Sequence, residues 1–251
     1  MRTQRPDSAN PLPSRIFLTA LSCELILVAI YWLDVLTDGR FQLLHALFDL
    51  DSEGNIPAWF SSSQLFAVAI TFFSCALRKG TDRRPSRVFF SLAGVGALYV
   101  SSDETAQIHE RVTAVIGARY IDWVPPFAAQ NFFFVMLLIA GLVTVGQLLA
   151  DDFLKLWNYH RRVVLLFVLG IAIGLTGGMV VETLGYKFLD SNSIWYRVEV
   201  TAEEFMEMLG ASFILLAALQ LRCRIRSRLS ATTTRVQPKK VQALPKYQAV
   251  S

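Results

Sequence analysis

"RVFFSLAGVGALYVSSDETAQIHERV", residues 87–112, joins two stretches that rarely belong to one helix. The first half is apolar enough to sit in lipid, while the second carries Asp103, Glu104, His109 and Glu110 before the pattern ends. Apolar runs of about 20 residues, each enough to cross a bilayer core, recur along the 251-residue chain. Hydrophobic residues make up 53% of it, and its mean hydropathy is +0.42. The chain therefore reads as an all-α, polytopic membrane protein. Six spans fit, at residues 16–36, 58–77, 88–110, 127–149, 163–184 and 198–221, as one transmembrane bundle over 16–221. The first run, "IFLTALSCELILVAIYWLDVL", is too long for a signal-peptide core and lacks a small-x-small cleavage site, so it reads as a retained helix.

Charge sorts along these spans. Lys and Arg collect before the first span, between the second and third, between the fourth and fifth, and after the sixth; only Arg40, Arg111, Arg119, Lys187 and Arg197 fall elsewhere. Basic segments stay in the cytoplasm, so an even span number puts the N and C termini both there. Trp32, Trp59, Trp123 and Trp195 lie near the opposite ends of spans, where an aromatic belt belongs. Residues 1–15 are polar and proline-containing, and 222–251 are basic without acidic residues; both read as disordered cytoplasmic ends. The tail lacks interleaved aromatics, which argues against nucleic acid and for anionic lipid headgroups.

Acidic residues sort the other way. Of the 20, only Asp7, Asp82, Asp151 and Asp152 lie on the basic side, and Glu24 sits mid-span; the rest gather toward the outer side. At a rise of about 1.5 Å per residue, Asp34, Asp103, Glu104, Glu182, Glu203, Glu204 and Glu207 all fall roughly 22 to 30 Å above the inner edge. In a continuous helix Asp103, Gln107 and Glu110 share one stripe, as do Glu199, Glu203 and Glu207, so two acidic stripes can converge. The bland readings are helix-dipole stabilisation at Glu199, an interfacial pair between Glu104 and Arg111, and a structural His109. Carboxylates crowded in hydrocarbon repel unless protonated or bridged by a cation, and a cation is the sharper expectation. The expected ligands are Asp103, Glu110, Glu203 and Glu207, with Glu182 and His109 as candidates and Glu104, Glu204, Asp49, Asp51 and Glu53 as accessories. Oxygen donors with so few imidazoles suit Ca²⁺, Mg²⁺, Mn²⁺ or iron rather than Zn²⁺. Glu24 stands alone and is expected to be protonated or hydrogen-bonded.

Three further features bear on the site. The loop "FDLDSEGNIPAWFSSS" follows a calcium-loop pattern at Asp49, Asp51, Glu53, Gly54 and Ile56, but position 12 is Phe60 instead of Glu. Two other readings stay open: an acidic turn capping the next helix, or a lid that lends oxygens to the carboxylate layer. Gly170, Gly174 and Gly178 form a small-residue groove for close helix packing, and Glu182 is the next step along it. Cys23, Cys75 and Cys223 lack the spacing of a disulfide or metal framework.

"FDLDSEGNIPAWFSS", "SSDETAQIHERV" and "VTAEEFMEMLG" occur in this order over roughly residues 40–215, and together they resemble an uncharacterised family of bacterial multi-pass membrane proteins. The resemblance implies a bacterial inner-membrane location and a shared polar site, and brings no activity. Three function classes stay open: a metal-dependent enzyme acting on a lipid-soluble substrate, a proton or cation transporter, and a non-catalytic assembly or sensor subunit. The first is the leading expectation, because the inner half of the spans offers little polar path beyond Glu24.

Overall fold

The structure is a computed structural model that describes residues 10–78, 85–108, 111–112, 136, 140–141, 143–144 and 146–236, leaving aside the side chains of Tyr186 and of residues after 227. Its described elements are helical, with no strand among the described residues. They are α1 (Leu12–Leu36), the short α2 (Gln42–Phe48), α3 (Ile56–Ala76), α4 (Arg87–Ala106), α5 (Ala150–Leu175), a π-helical segment (Thr176–Val181), α6 (Glu182–Phe188) and α7 (Ile194–Val236).

Local chemistry sets the helix ends. Pro13 and Pro57 occupy first-turn positions, where a missing N–H costs nothing. Asn55 caps α3 by accepting from the Ala58 N–H at 3.1 Å, and Ser86 caps α4 through the Phe89 N–H at 3.0 Å. After α1 the chain turns through Asp38 and Gly39 at φ 51° and 64°, a left-handed pair that stops the helix. Gln107 ends α4 in the same way, at φ 50°, with its N–H bonded to the Asp103 carbonyl at 2.7 Å. The single helix expected over 88–110 is therefore interrupted at Gln107, so Asp103 and Gln107 do not continue one helical stripe, and Glu110 lies outside the described residues.

Among the described residues, four helical stretches are long and apolar enough to cross a membrane: Leu12–Leu36, Ile56–Ala76, Ala150–Gly185 and Ile194–Ser227. In the first and third only 17% of the most apolar window is buried inside the protein. Leu18, Leu25, Ile26 and Leu33 of α1, with Leu165, Val168 and Ile171 of α5, point outward. An exposed apolar stripe of this length fits lipid rather than water. The fifth expected span extends to Ala150–Gly185 through the π-helical segment, and α7 continues through the expected tail boundary at Arg222 to Val236. Most of the fourth expected span, 127–149, lies outside the described residues.

α7 is the central element, packing against α1, α3 and α5, while α3 also pairs with α4. Its closest crossing is with α5. A Cβ on Gly170 would sit 2.7 Å from the Gly210 carbonyl oxygen, and one on Gly210 would sit 2.8 Å from the Gly174 nitrogen. The groove read from the sequence is thus a backbone-to-backbone contact. Toward the basic end the core is Val68, Phe72, Phe89, Phe90, Val163, Leu215 and Leu221; toward the acidic end it is Leu27, Tyr31, Leu50, Val200 and Met208. Two polar contacts bind α4 across the bundle. The Ser86 N–H and hydroxyl donate to the Asp152 carboxylate at 2.9 and 2.5 Å at one end. Toward the other, Ser62 Oγ donates to the Ser101 carbonyl at 2.6 Å, and Ser101 Oγ to that of Ser62 at 2.8 Å.

Candidate cation site at the acidic end

The first turns of α7 carry Glu199, Glu203 and Glu207 at four-residue steps, with Glu204 beside them. Opposite them the chain offers glycine. A Cβ on Gly178 would overlap Glu207 Oε1, one on Gly185 would overlap the Glu199 carboxylate, and one on Gly177 would lie 2.8 Å from the Glu203 carbonyl oxygen. The upper part of the glycine row therefore makes room for carboxylates, while its lower part makes room for a helix. The π-helical segment supplies this surface, and such segments often accompany function.

Carboxylates from three other elements converge on α7. Glu182, in the first turn of α6, lies close enough for its charge to act on Glu199, Glu203 and Glu207. Glu104 of α4 acts on both Glu204 and Glu207, as does Glu53 of the loop between α2 and α3. Asp51 of that loop acts on Glu199 and Glu203. The groups acting most strongly on Glu203, Glu204 and Glu207 are thus other carboxylates. Arg197 stands instead with Tyr31, Asp49 and Asp51.

The loop lies over this end of the bundle, in keeping with the lid reading. Leu50 is buried with Leu27, Tyr31, Val200 and Met208, and Tyr196 Oη of α7 donates to Asp51 Oδ1 at 2.8 Å. The loop is also tied internally. Asp49 Oδ1 accepts from the Asp51 N–H at 3.2 Å, Asn55 Nδ2 donates to the Asp49 and Ser52 carbonyls, each at 2.5 Å, and Gly54 takes φ 79°. Helix capping falls to Asn55 and not to the acids. At the end of α1, His45 Nδ1 meets Asp34 Oδ2 at 2.8 Å.

The expected ligands separate. Glu203, Glu207 and Glu182 come together, joined by Glu104, Glu204 and Glu53. Asp103 is 7% exposed, and its charge acts on Tyr99; the α4 carboxylate that acts on Glu207 is Glu104, one residue on. His109 and Glu110 lie outside the described residues. Among the described residues no three His, Cys, Asp or Glu side chains converge closely enough to hold a metal ion as placed. Tyr196 and Arg197 were not expected at the site, although they lie three and two residues before Glu199, the first of the glutamate row.

Residues 16–223 match the domain of unknown function DUF8692, and the chain belongs to that family. No curated protein and no solved structure matches it.

Proposed function

We propose that this chain is a six-span protein of a bacterial inner membrane, with both termini cytoplasmic, that binds a hard divalent cation in a carboxylate layer near its outer face. The observation that carries the reading is the charge around Glu204 and Glu207: Glu104 from α4 and Glu53 from the loop act on both, and Glu182 from α6 acts on Glu207 as well. Carboxylates held out of water toward the outer face carry a desolvation cost, and mutual repulsion adds to it. One divalent ion offsets both. The proposed ligands are Glu203, Glu207, Glu204, Glu182 and Glu104, with Glu53 and Asp51 delivered by the loop. Side-chain rotations draw these oxygens onto the ion. His109 and Glu110 remain candidates from the sequence alone, while Asp103, also expected from the sequence, is left out of the proposed set in favour of Glu104. Ca²⁺, Mg²⁺, Mn²⁺ and Fe²⁺ all suit such oxygens.

α4 fits a crossing helix although its composition is less apolar than that of the other four. Its start meets Asp152 of α5 and its end acts on the α7 carboxylates, and 20 residues at about 1.5 Å each reach roughly 30 Å. A metal in this layer would activate water against a lipid-soluble substrate entering from the bilayer, which makes an enzyme the preferred class.

The test is metal per chain, measured on full-length protein purified without chelator, before and after chelation. Bound divalent metal and a lower thermal midpoint after its removal are expected. Protein that holds no metal and ignores chelator refutes the site.

A further inference from the structure

Away from the acidic end, three buried polar side chains meet, one from each of three helices. Glu24 of α1 is 0% exposed, Gln64 of α3 5% and Ser212 of α7 1%. Ser212 Oγ donates to Glu24 Oε1 at 2.6 Å. Gln64 Nε2 donates to that same oxygen at 2.9 Å and to Ser212 Oγ at 2.8 Å. Every donor in the triad is thereby used, and two acceptors are left over. Glu24 Oε2 and Gln64 Oε1 are both buried and receive no hydrogen bond from the described residues. Leu27, Val68, Met208, Leu215 and Leu216 on the adjoining turns are buried and apolar.

The groups acting on the Glu24 carboxyl are Gln64 and Ser212, neither of which titrates. The nearest titratable side chains along the packed helices are Cys23 and Tyr31 on α1, Cys75 on α3 and Glu207 on α7; Glu207 lies roughly 7.5 Å from Ser212 along the helix axis. None of these supplies a positive charge. A carboxylate buried without a cationic partner is more stable neutral. A single carboxylate calls for one positive charge, so a divalent ion would leave an excess. Hard metal ions also need several oxygen ligands, and only two oxygens are left over here.

We propose that the Glu24–Gln64–Ser212 triad is a proton-binding site inside the bundle, with the proton on Glu24 Oε2. The proton removes the buried charge and converts one of the two unmatched acceptors into a donor. It also ties α1, α3 and α7 together, because releasing it leaves a charge where the three helices meet. α7 carries both Ser212 and the acidic row, so one rigid element joins the proton site to the carboxylate layer. The inference rests on hydrogen-bond accounting at the triad and stands whether or not the outer layer holds a metal.

Infrared difference spectra of full-length protein in lipid nanodiscs at neutral pH, wild type minus Glu24→Gln, test it. The C=O stretching band of a protonated carboxyl should be present in wild type, absent from the variant and unchanged by sodium. Ser212→Ala removes a hydrogen bond from the carboxyl's other oxygen, so it should shift that band while leaving it in place; this readout holds even if Glu24→Gln does not fold. A carboxylate signature from Glu24 at neutral pH would mean that a water or an ion satisfies the pocket, and it overturns the proposal. A protonated band that vanishes when sodium is added overturns it in favour of a metal-ion site.

Discussion

Replacing Glu207 by Gln removes one negative charge from a point on which Glu104, Glu203, Glu182 and Glu53 all act. The sign of the effect depends on whether a cation is present. With one bound, the substitution deletes a ligand, and Glu207→Gln and Glu104→Gln should each weaken metal binding at least about tenfold, ~1.4 kcal/mol, and lower the thermal midpoint. Without one, the same changes relieve repulsion and raise the midpoint. Asp103→Asn separates the neighbours: it should leave metal content near the wild-type value, measured by elemental analysis beside Glu104→Gln. Retention in Glu104→Gln with loss in Asp103→Asn would reverse the assignment. The sequence places both residues at the right height but does not choose between them. The choice depends on how α4 rotates against α3, and the half-buried Ser62–Ser101 contact that accompanies that rotation has no charge or periodicity to announce it. Glu24 is hydrogen-bonded, one of the two states the sequence suggests, but its partners were not legible: Gln64 lies 40 positions away and Ser212 188, so only folding brings them together.

At the scale of elements, one row of glycines performs two tasks. A Cβ on Gly170 would meet the Gly210 backbone, which cannot yield, whereas one on Gly178 would meet the end of the Glu207 side chain, which can rotate. Gly170→Ala should therefore destabilise by roughly 1 to 3 kcal/mol through overpacking, with metal binding reduced only in step with folded protein. Gly178→Ala should cost less stability yet displace the Glu207 carboxylate and lose metal. Thermal midpoints and metal content measured on the two variants check the split; equal losses of both quantities in both variants would refute it. The four-residue spacing made the packing groove legible. Glu182, the next step along the row, made its lead toward the carboxylates legible; that the row houses the Glu207 carboxylate was not, because the π-helical segment shifts the register at Thr176–Val181 and no sequence period encodes that shift.

For the molecule as a whole, four helices among the described residues are long and apolar enough to cross a membrane, while apolar run lengths in the sequence read six spans. The difference at α4 has a physical source. Its last turns bear Asp103 and Glu104, so the acids at the proposed site also lower its hydropathy. Its ends nevertheless coincide with those of its neighbours, at Asp152 on one side and at the α7 carboxylates on the other. A helix fixed at both ends among helices long and apolar enough to cross lipid is expected to cross it as well. Reporter fusions decide the matter. Fusions after Arg161 and Arg228 should report the cytoplasm and those after Asp51 and Lys187 the outside, on either count of spans. The fusion after Arg119 discriminates: it reports the outside if α4 crosses and the cytoplasm if α4 folds back on the inner side. A cytoplasmic signal there would remove Glu104 from the outer layer, and with it the α4 contribution to the cation site.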